Sequence, residues 1–400
     1  MKTLIDLYSK AYSGLTPKIW LLALTQLINR IGTMVIFFLS VYLHEDLLFD
    51  LDKTGILMAS FGLGSICGVF AAGKIIDKVG FYPVMLWSLI LGSFMFVIVS
   101  FLNDFVFLAI GLFLLSALGE SFRPANMAAV AHFSTPESYT RSLSLNRLAV
   151  NLGFAIGPAA GGLLATYSYS YIFWADGITS LLASAIVVAC FKTDFVIPEK
   201  KPVLTDSLRS NSAFKDKAFL LFLPVTFFYA SAFFQFFSTM PLYYKEVEML
   251  SESQIGGLMA LNGLLVALFE MVMIYKLEKR WTIFNFIALG SAMLVASYIS
   301  LIFLGGMAWL IVLTIIISFS EMFAMPFMTT YMNNRAISSN RGQYTSLYIM
   351  AWSAAQIATP VLCTQVIAGA GYKALWIVLA AFSFIVILLM KYLEKKYHSI

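Results

Sequence analysis

Long apolar runs follow one another along the chain, broken by short polar interruptions and without the period-two alternation of strands. They fall at about 18–43, 54–76, 81–101, 105–132, 142–166, 171–191, 218–244, 253–276, 282–303, 306–332, 342–368 and 372–392. About 20 apolar residues in a helix cross a hydrocarbon core about 30 Å thick, so each run predicts a membrane span. Turn signals divide them at Asn103-Asp104, Ser134 to Pro136, Gly305-Gly306 and Gly369 to Gly371. Continuous runs exclude a β-barrel, whose strands alternate in segments of about ten residues. The expected fold is an all-α membrane protein with twelve transmembrane helices in two pseudo-symmetric six-helix bundles.

Composition narrows the function classes. The chain is 60% hydrophobic and 12% charged, half the charge of an ordinary soluble domain at about 25%. That excludes a soluble enzyme, a disordered protein and an enzyme on a single anchor. The net charge of +5 points to no nucleic acid, because the basic residues lie scattered between apolar runs. With the N-terminus in the cytoplasm, twenty-one basic residues fall in inner segments and only Lys53, Lys245 and Lys373 in outer ones. This asymmetry places both termini in the cytoplasm. It predicts a multi-pass plasma-membrane protein, of the inner membrane in a bacterium. Residues 1–18 read as a short amphipathic cytoplasmic lead-in with no apolar core long enough for a signal peptide. The polar stretch Lys192 to Lys217, with a short surface helix near Asp206 to Ser212, reads as a cytoplasmic linker. It separates bundles over 1–191 and 218–400. Cys67, Cys190 and Cys363 lie in apolar segments and read as small core residues.

The halves are related at an offset of 201–202 residues. Leu57-Met58-Ala59 and Gly62 match Leu258-Met259-Ala260 and Gly263, and Asp77-Lys78 matches Glu278-Lys279. Pro124, Ser144-Leu145, Pro158 and Trp174 match Pro326, Ser346-Leu347, Pro360 and Trp376, and Glu120 matches Glu321. Paired six-span repeats are typical of transporters whose site lies at the midplane.

Two motifs and one charge carry a family resemblance. Gly73-Lys-Ile-Ile-Asp77-Lys78-Val-Gly80 follows a glycine-rich second span. It resembles the loop 2–3 signature of the major facilitator superfamily, although Phe81-Tyr82 stands where that signature has a basic pair. Gly153-Phe-Ala-Ile-Gly157-Pro158-Ala-Ala-Gly161-Gly162 resembles the antiporter motif of the fifth span. Arg123 is similar to the basic residue in the fourth span of the same twelve-helix drug–proton antiporters. The resemblance implies that Gly73, Asp77, Lys78, Gly80, Gly157, Pro158, Gly161 and Gly162 serve conformational gating. Asp77 would face the N-terminal end of the eleventh helix near Arg341-Gly342 as a latch, or stay a solvated loop charge. The small residues of the fifth span permit backbone-distance packing and Pro158 a bend.

Charges inside spans are costly, so they are functional or paired. Arg30 lies mid-way along the first span, and Glu120 and Arg123 share a face of the fourth. Glu120 reads as a proton-coupling acid held by Arg30 and Arg123, or as part of a permanent salt bridge. Glu270 and Glu321 read as proton carriers or partners of a cationic substrate group, or as lining of an aqueous vestibule. Asp176, in the first turn of the sixth helix, is expected to complement that helix's own dipole. Tyr229, Phe233 and Phe236 share one helical face and, with Trp352 and Gln356, are candidate substrate-binding residues; lipid-facing packing is the alternative for each ring. Trp20, Trp174, Trp309 and Trp376 read as interfacial anchors. His44, His132 and His398 are scattered, so no metal site is expected. No phosphate loop or nucleophile constellation occurs, so no cofactor and no enzymatic activity is expected. These features predict proton-coupled secondary transport of small organic molecules, preferably export of amphipathic or cationic compounds by a monomer. The alternative is proton-coupled import of a zwitterionic nutrient such as a short peptide, held between arginines of the first half and acids of the second.

Overall fold

The computed structural model describes residues 14–135, 138–192, 212–277, 280–336 and 341–397. The predicted lead-in before residue 14, Pro136, the linker over 193–211 with nearly all of its surface helix, and the Glu278-Lys279 repeat match lie outside them. Helices and no strands occur among the described residues. Eleven helical runs are long and apolar enough to cross a membrane. They are α1 (Pro17–Asp46), α2 (Leu51–Val79), α3 (Phe81–Val99), α4 (Phe105–Phe133), α5 (Tyr139–Ala165) and α6 (Tyr169–Phe191). There follow α7 (Lys217–Glu246), α8 (Glu252–Leu277), α9 (Ile283–Ser300), α10 (Met307–Arg335) and the long run Arg341–Tyr397. Inside that last run Gly371 has φ 78° and ψ 175°. No side-chain-bearing residue holds that backbone cheaply. The run is therefore two spans, α11 (341–370) and α12 (372–397), and the total is twelve. Gly80 plays the same part between α2 and α3, with φ 80° and ψ 174°. One glycine thus makes the whole junction.

The ends are set by caps. Asp104 accepts from the backbone N–H groups of Val106 and Phe107 at 3.0 and 3.2 Å and starts α4. Trp87, Phe94, Phe107, Leu163 and Ile178 stand more than half exposed. Large apolar side chains in such numbers need a hydrocarbon solvent.

By packing, the described residues form two compact units. One comprises those within 1–38, 60–200 and 252–264; the other comprises those within 39–59, 201–251 and 265–400. In the first, α1 packs on α5 and α6, and α3 on α4 and α6. Its core gathers Leu22, Met85, Phe122, Val130, Val187 and Phe191. Gly64 and Gly68 of α2 lie against the carbonyls of Phe113 and Ala117 of α4, where a Cβ has no room. In the second unit α7 packs on the α11–α12 run, and α9 on α10. Its core is aromatic: Phe286 stacks on Phe327 at 4.0 Å and Tyr298 on Trp376 at 5.7 Å. Trp376 is completely buried there, so it is a core residue and not an interfacial anchor; Trp20 and Trp174 are exposed. Cys67 is exposed on α2 rather than in the core, Cys190 is half-buried and Cys363 buried.

A polar clamp ties the second unit at one end. The Asp216 carboxylate accepts from the N–H groups of Ala218 and Phe219, both at 3.1 Å, and so caps α7. It also accepts two bonds from the Arg335 guanidinium at 2.7 and 2.9 Å, and one from the Tyr344 hydroxyl at 2.9 Å. Burial alone would raise this carboxyl, but the bonds from Arg335, the Phe219 N–H and Tyr344 outweigh it and hold the group below its ordinary value. A depressed carboxyl adds stability above the unfolded-state value, lost as pH falls through the folded one. Arg335→Ala is expected to cost about 2 kcal/mol, the worth of a charge-assisted bond, evenly from pH 5 to 8. A thermal melt at neutral pH reads the loss, and the gap to wild type should close in strong acid.

Candidate functional site

The first span is not one helix. Regular helix stops after Ile31 and resumes at Met34, with Gly32 and Thr33 between. Such a break strands backbone groups that hydrocarbon cannot satisfy. Asp176 of α6 answers one side. Its fully buried carboxylate accepts from the N–H groups of Met34 and Val35 at 3.1 and 2.9 Å. Asp176 therefore complements the second half of α1 and not, as the sequence reading expects, its own helix. On the other side the Gly32 N–H donates to the Ile28 carbonyl at 3.2 Å and the Thr33 hydroxyl to the Arg30 carbonyl at 2.7 Å. Gly153, the first residue of α5's glycine motif, makes room: a Cβ there would strike the Arg30 Cβ and backbone.

Arg30 is buried, and its Nη1 lies 3.4 Å from Glu120 Oε1. Its Nε makes no hydrogen bond, and the guanidinium sits 5.8 Å from the Phe154 ring centroid. Arg123 is exposed, and Glu120 and Arg30 both lie near enough to act on its charge. The structure thus brings the three predicted first-half charges into one group. A neighbouring polar triad escapes the sequence reading. The buried Asn126 amide of α4 donates to Gln26 Oε1 of α1 at 2.9 Å and to Asn146 Oδ1 of α5 at 2.8 Å. Gln26 lies four residues before Arg30 and Asn126 three after Arg123, so helical spacing is the signal that was available. A connected polar network fixes the mutual rotation of the helices that carry it.

The remaining gating residues divide. On α5, Gly153, Gly157 and Gly161 face α1, where added Cβ atoms would meet Arg30, Ile31 and Met34. Gly162 and the Pro158 carbonyl face Gly256 of α8 inside the same unit. Gly73 has open space around it, so packing makes no demand for glycine there. Lys78 is exposed, while the side chains of Asp77, Arg341 and Gly342 lie outside the described set.

In the second unit, α7 breaks at Phe234, 202 residues after Gly32, and again at Thr239. Buried Gln235 spans the break. Its Nε2 donates to the Ser231 carbonyl at 3.0 Å, and its Oε1 accepts from Thr239 at 2.6 Å and Ser238 at 3.0 Å. The candidate aromatics belong mostly to the core. Tyr229, Phe233 and Phe236 are almost wholly inaccessible, and the Tyr229 hydroxyl donates to the Ser320 carbonyl at 3.1 Å. The partly accessible residues are Trp352, Gln356 and the unpredicted Phe234, whose ring meets Trp352 at 5.5 Å. Glu321 is partly accessible and close enough for its charge to act on Tyr229. Glu270 is buried at 3% exposure, which removes the vestibule-lining alternative for it. Neither acid is without a partner. The cleft lined by Leu223, Pro224, Phe227, Phe228, Leu347, Met350 and Ala351 is apolar throughout and holds nothing that recognises a charge. His44, although far in sequence from the other histidines, lies 3.0 Å from Glu246.

Comparison with known proteins agrees with this architecture. The family model of the Major Facilitator Superfamily matches residues 22–360. An MFS-type transporter of Bacillus subtilis (strain 168) is 23% identical over 360 residues, covering 89% of each chain. The class D tetracycline resistance protein of Salmonella ordonez is 26% identical, covering 77% of this chain and 78% of that one. A Na(+), Li(+), K(+)/H(+) antiporter of Planococcus maritimus is 23% identical, covering 82% and 84%. Among solved structures, a POT family transporter in complex with 5-aminolevulinic acid superposes with a TM-score of 0.84 over 96% of this chain and 97% of that one, at 14% identity. At that identity the likeness is one of fold. Twelve membrane-spanning helices, helix breaks repeated at a 202-residue offset and a family match over most of the length lead to one assignment: the chain belongs to the Major Facilitator Superfamily and is a multi-pass membrane transporter, not an enzyme.

Proposed function

We propose that the protein is a proton-coupled secondary active transporter working by alternating access, and that it exports amphipathic or cationic organic compounds. The observation that carries this reading is the Arg30–Glu120 pair beside the break in α1, with Arg123 close by. A carboxylate held by arginine is easier to protonate once the arginine leaves. Rearrangement at a helix break supplies such a separation without unfolding a span. Glu120 is the coupling acid; Arg30 and Arg123 hold it; Glu321 and Glu270 serve the second unit; Trp352, Gln356 and Phe234 meet the substrate in front of Tyr229, Phe233 and Phe236. The loop from Gly73 to Gly80, through Asp77 and Lys78, gates the cycle together with Gly157, Pro158, Gly161 and Gly162. Export is favoured by the α5 glycines and by relatives whose names include tetracycline resistance and cation/proton antiport. The protein works as a monomer in the bacterial inner membrane, with both termini in the cytoplasm.

Purified protein in liposomes tests the reading, with uptake or efflux followed with and without an imposed pH gradient. Gradient-driven movement of a lipophilic cation against its concentration supports it; gradient-independent movement overturns proton coupling. Glu321→Gln is expected to weaken lipophilic cations about tenfold and neutral analogues little, since an accessible carboxylate and the Phe234–Trp352 rings together favour positive charge at about 0.5–2 kcal/mol per ring contact. Competition binding against a fluorescent cation reads that difference. The second reading, import of a zwitterion, draws on opposite charges in the two halves of the chain. It requires Arg30→Gln or Arg123→Gln to impair binding of a short peptide while sparing cations.

A further inference from the structure

We propose that His44, Glu45 and Glu246 form a binding site for a divalent transition-metal ion of the zinc class, located where the ends of α1 and α7 meet. The site lies within the second compact unit and is separate from the charges assigned to transport. One ligand atom from each residue falls within 4.8 Å of the others.

The imidazole is already oriented as a ligand. His44 Nδ1 lies 2.7 Å from the Phe49 carbonyl. A carbonyl only accepts, so Nδ1 carries a proton, and in the neutral imidazole Nε2 is the nitrogen left with a lone pair for a metal. An imidazole tied in this manner through its other nitrogen is the usual arrangement at protein metal sites. Nε2 then lies 3.0 Å from Glu246 Oε1. That oxygen is buried and makes no hydrogen bond. Two electron-rich atoms at this distance are held together either by a proton on Nε2 or by a cation beside them. A metal ion is such a cation, placed off the line between them: tetrahedral ligands about 2.0 Å from zinc stand about 3.3 Å apart.

The second carboxylate oxygen is held as well. Tyr372 of α12 donates to Glu246 Oε2 at 2.6 Å, which leaves Oε1 as the free donor. Glu45 is exposed and adjacent to His44 on a π-helical turn, Tyr42–Asp46, closed by the Leu47 N–H on the Tyr42 carbonyl at 3.0 Å. Such turns recur at functional sites. With a neutral imidazole the three ligands carry two negative charges, matching a divalent ion. One imidazole and two carboxylates leave a position for water, and this nitrogen–oxygen set suits zinc over calcium or magnesium.

The test uses the purified full-length protein, stripped with chelator and equilibrated with Zn2+ by dialysis. Co2+ in place of Zn2+ reports tetrahedral coordination through its visible absorption. Wild type and the control Asp52→Asn are expected to bind one ion per chain. His44→Gln and Glu246→Gln should lose it, and Tyr372→Phe should bind about tenfold more weakly, as loss of a ligand's supporting bond does. Thermal melts without metal identify any variant that fails to fold; Tyr372→Phe, which keeps every ligand, then carries the comparison. Absence of binding by wild type means that His44 and Glu246 form a protonated ion pair only, and overturns the proposal. Binding that survives both His44→Gln and Glu246→Gln overturns it equally. An ion here would join helix ends from opposite halves of the chain, so Zn2+ is expected to slow transport in wild type and not in His44→Gln. That consequence rests on the proposed transport function; the binding measurement stands without it.

Discussion

Glu120→Gln is expected to abolish gradient-driven transport while leaving substrate exchange intact. The glutamine keeps the shape of the side chain and an oxygen facing Arg30 Nη1, now 3.4 Å from Glu120 Oε1, but it can neither take nor release a proton. The packing around it should hold, because Asp176 and Gly153 position the α1 break independently of Glu120. The loss therefore belongs to the energy-coupling step. In liposomes the variant should equilibrate substrate across the membrane and fail to concentrate it. Removing the acid also leaves the buried Arg30 without its counter-charge, close enough to Arg123 for the two positive charges to repel. Uncompensated buried charge is destabilising by several kcal/mol, so a reduced thermal midpoint is expected alongside. Arg30→Gln separates the two effects: it relieves the repulsion but retains the acid. If Glu120→Gln still accumulates substrate against a gradient, coupling resides elsewhere, and Glu321 becomes the candidate.

The spans were readable in the sequence because each is an average over about 20 residues, and an average survives local detail. The break in α1 was not readable for the same reason. Gly32 and Thr33 interrupt a run whose flanks, Trp20 to Leu24 and Met34 to Leu39, keep the window apolar. Once the break is hidden, the role of Asp176 is hidden too, since its partners are two backbone N–H groups 141 and 142 residues away. Charges were easier: Arg30, Glu120 and Arg123 stand out against apolar neighbours whatever the fold does. Aromatic rings were harder. Lipid and protein core are equally apolar, so hydropathy cannot tell Phe236, fully buried, from Phe234, partly accessible. The clamp at Asp216 was concealed differently. Arg335 contributed to the count of inner positive charge, and nothing local marks its distant partner.

The glycines of α5 and α8 allow the sharpest contrast between neighbouring positions. Gly256 and Gly257 are adjacent, so composition and helix propensity treat them alike. Their surroundings differ. A Cβ on Gly256 would overlap the Pro158 carbonyl and crowd the Gly162 Cα at 3.1 Å, whereas a Cβ on Gly257 meets nothing within 4 Å. The obstacles at Gly256 are backbone atoms, which cannot rotate aside as a flexible side chain can. Gly256→Ala must therefore push α8 away from α5, at about 1–3 kcal/mol for an overpacked contact. Gly257→Ala should be neutral or stabilising, because alanine favours helix by about 1 kcal/mol over glycine. Gly162→Ala should resemble Gly256→Ala, since its Cβ would lie 2.5 Å from the Glu252 carbonyl oxygen. If the α5–α8 seam closes one state of the transport cycle, a penalty of about 1.4 kcal/mol lowers that state's population about tenfold relative to states in which the seam is open. Transport rate should then fall about tenfold in Gly256→Ala and Gly162→Ala and remain at wild type in Gly257→Ala. Equal behaviour of Gly256→Ala and Gly257→Ala would show that backbone contact at this seam has no part in the cycle.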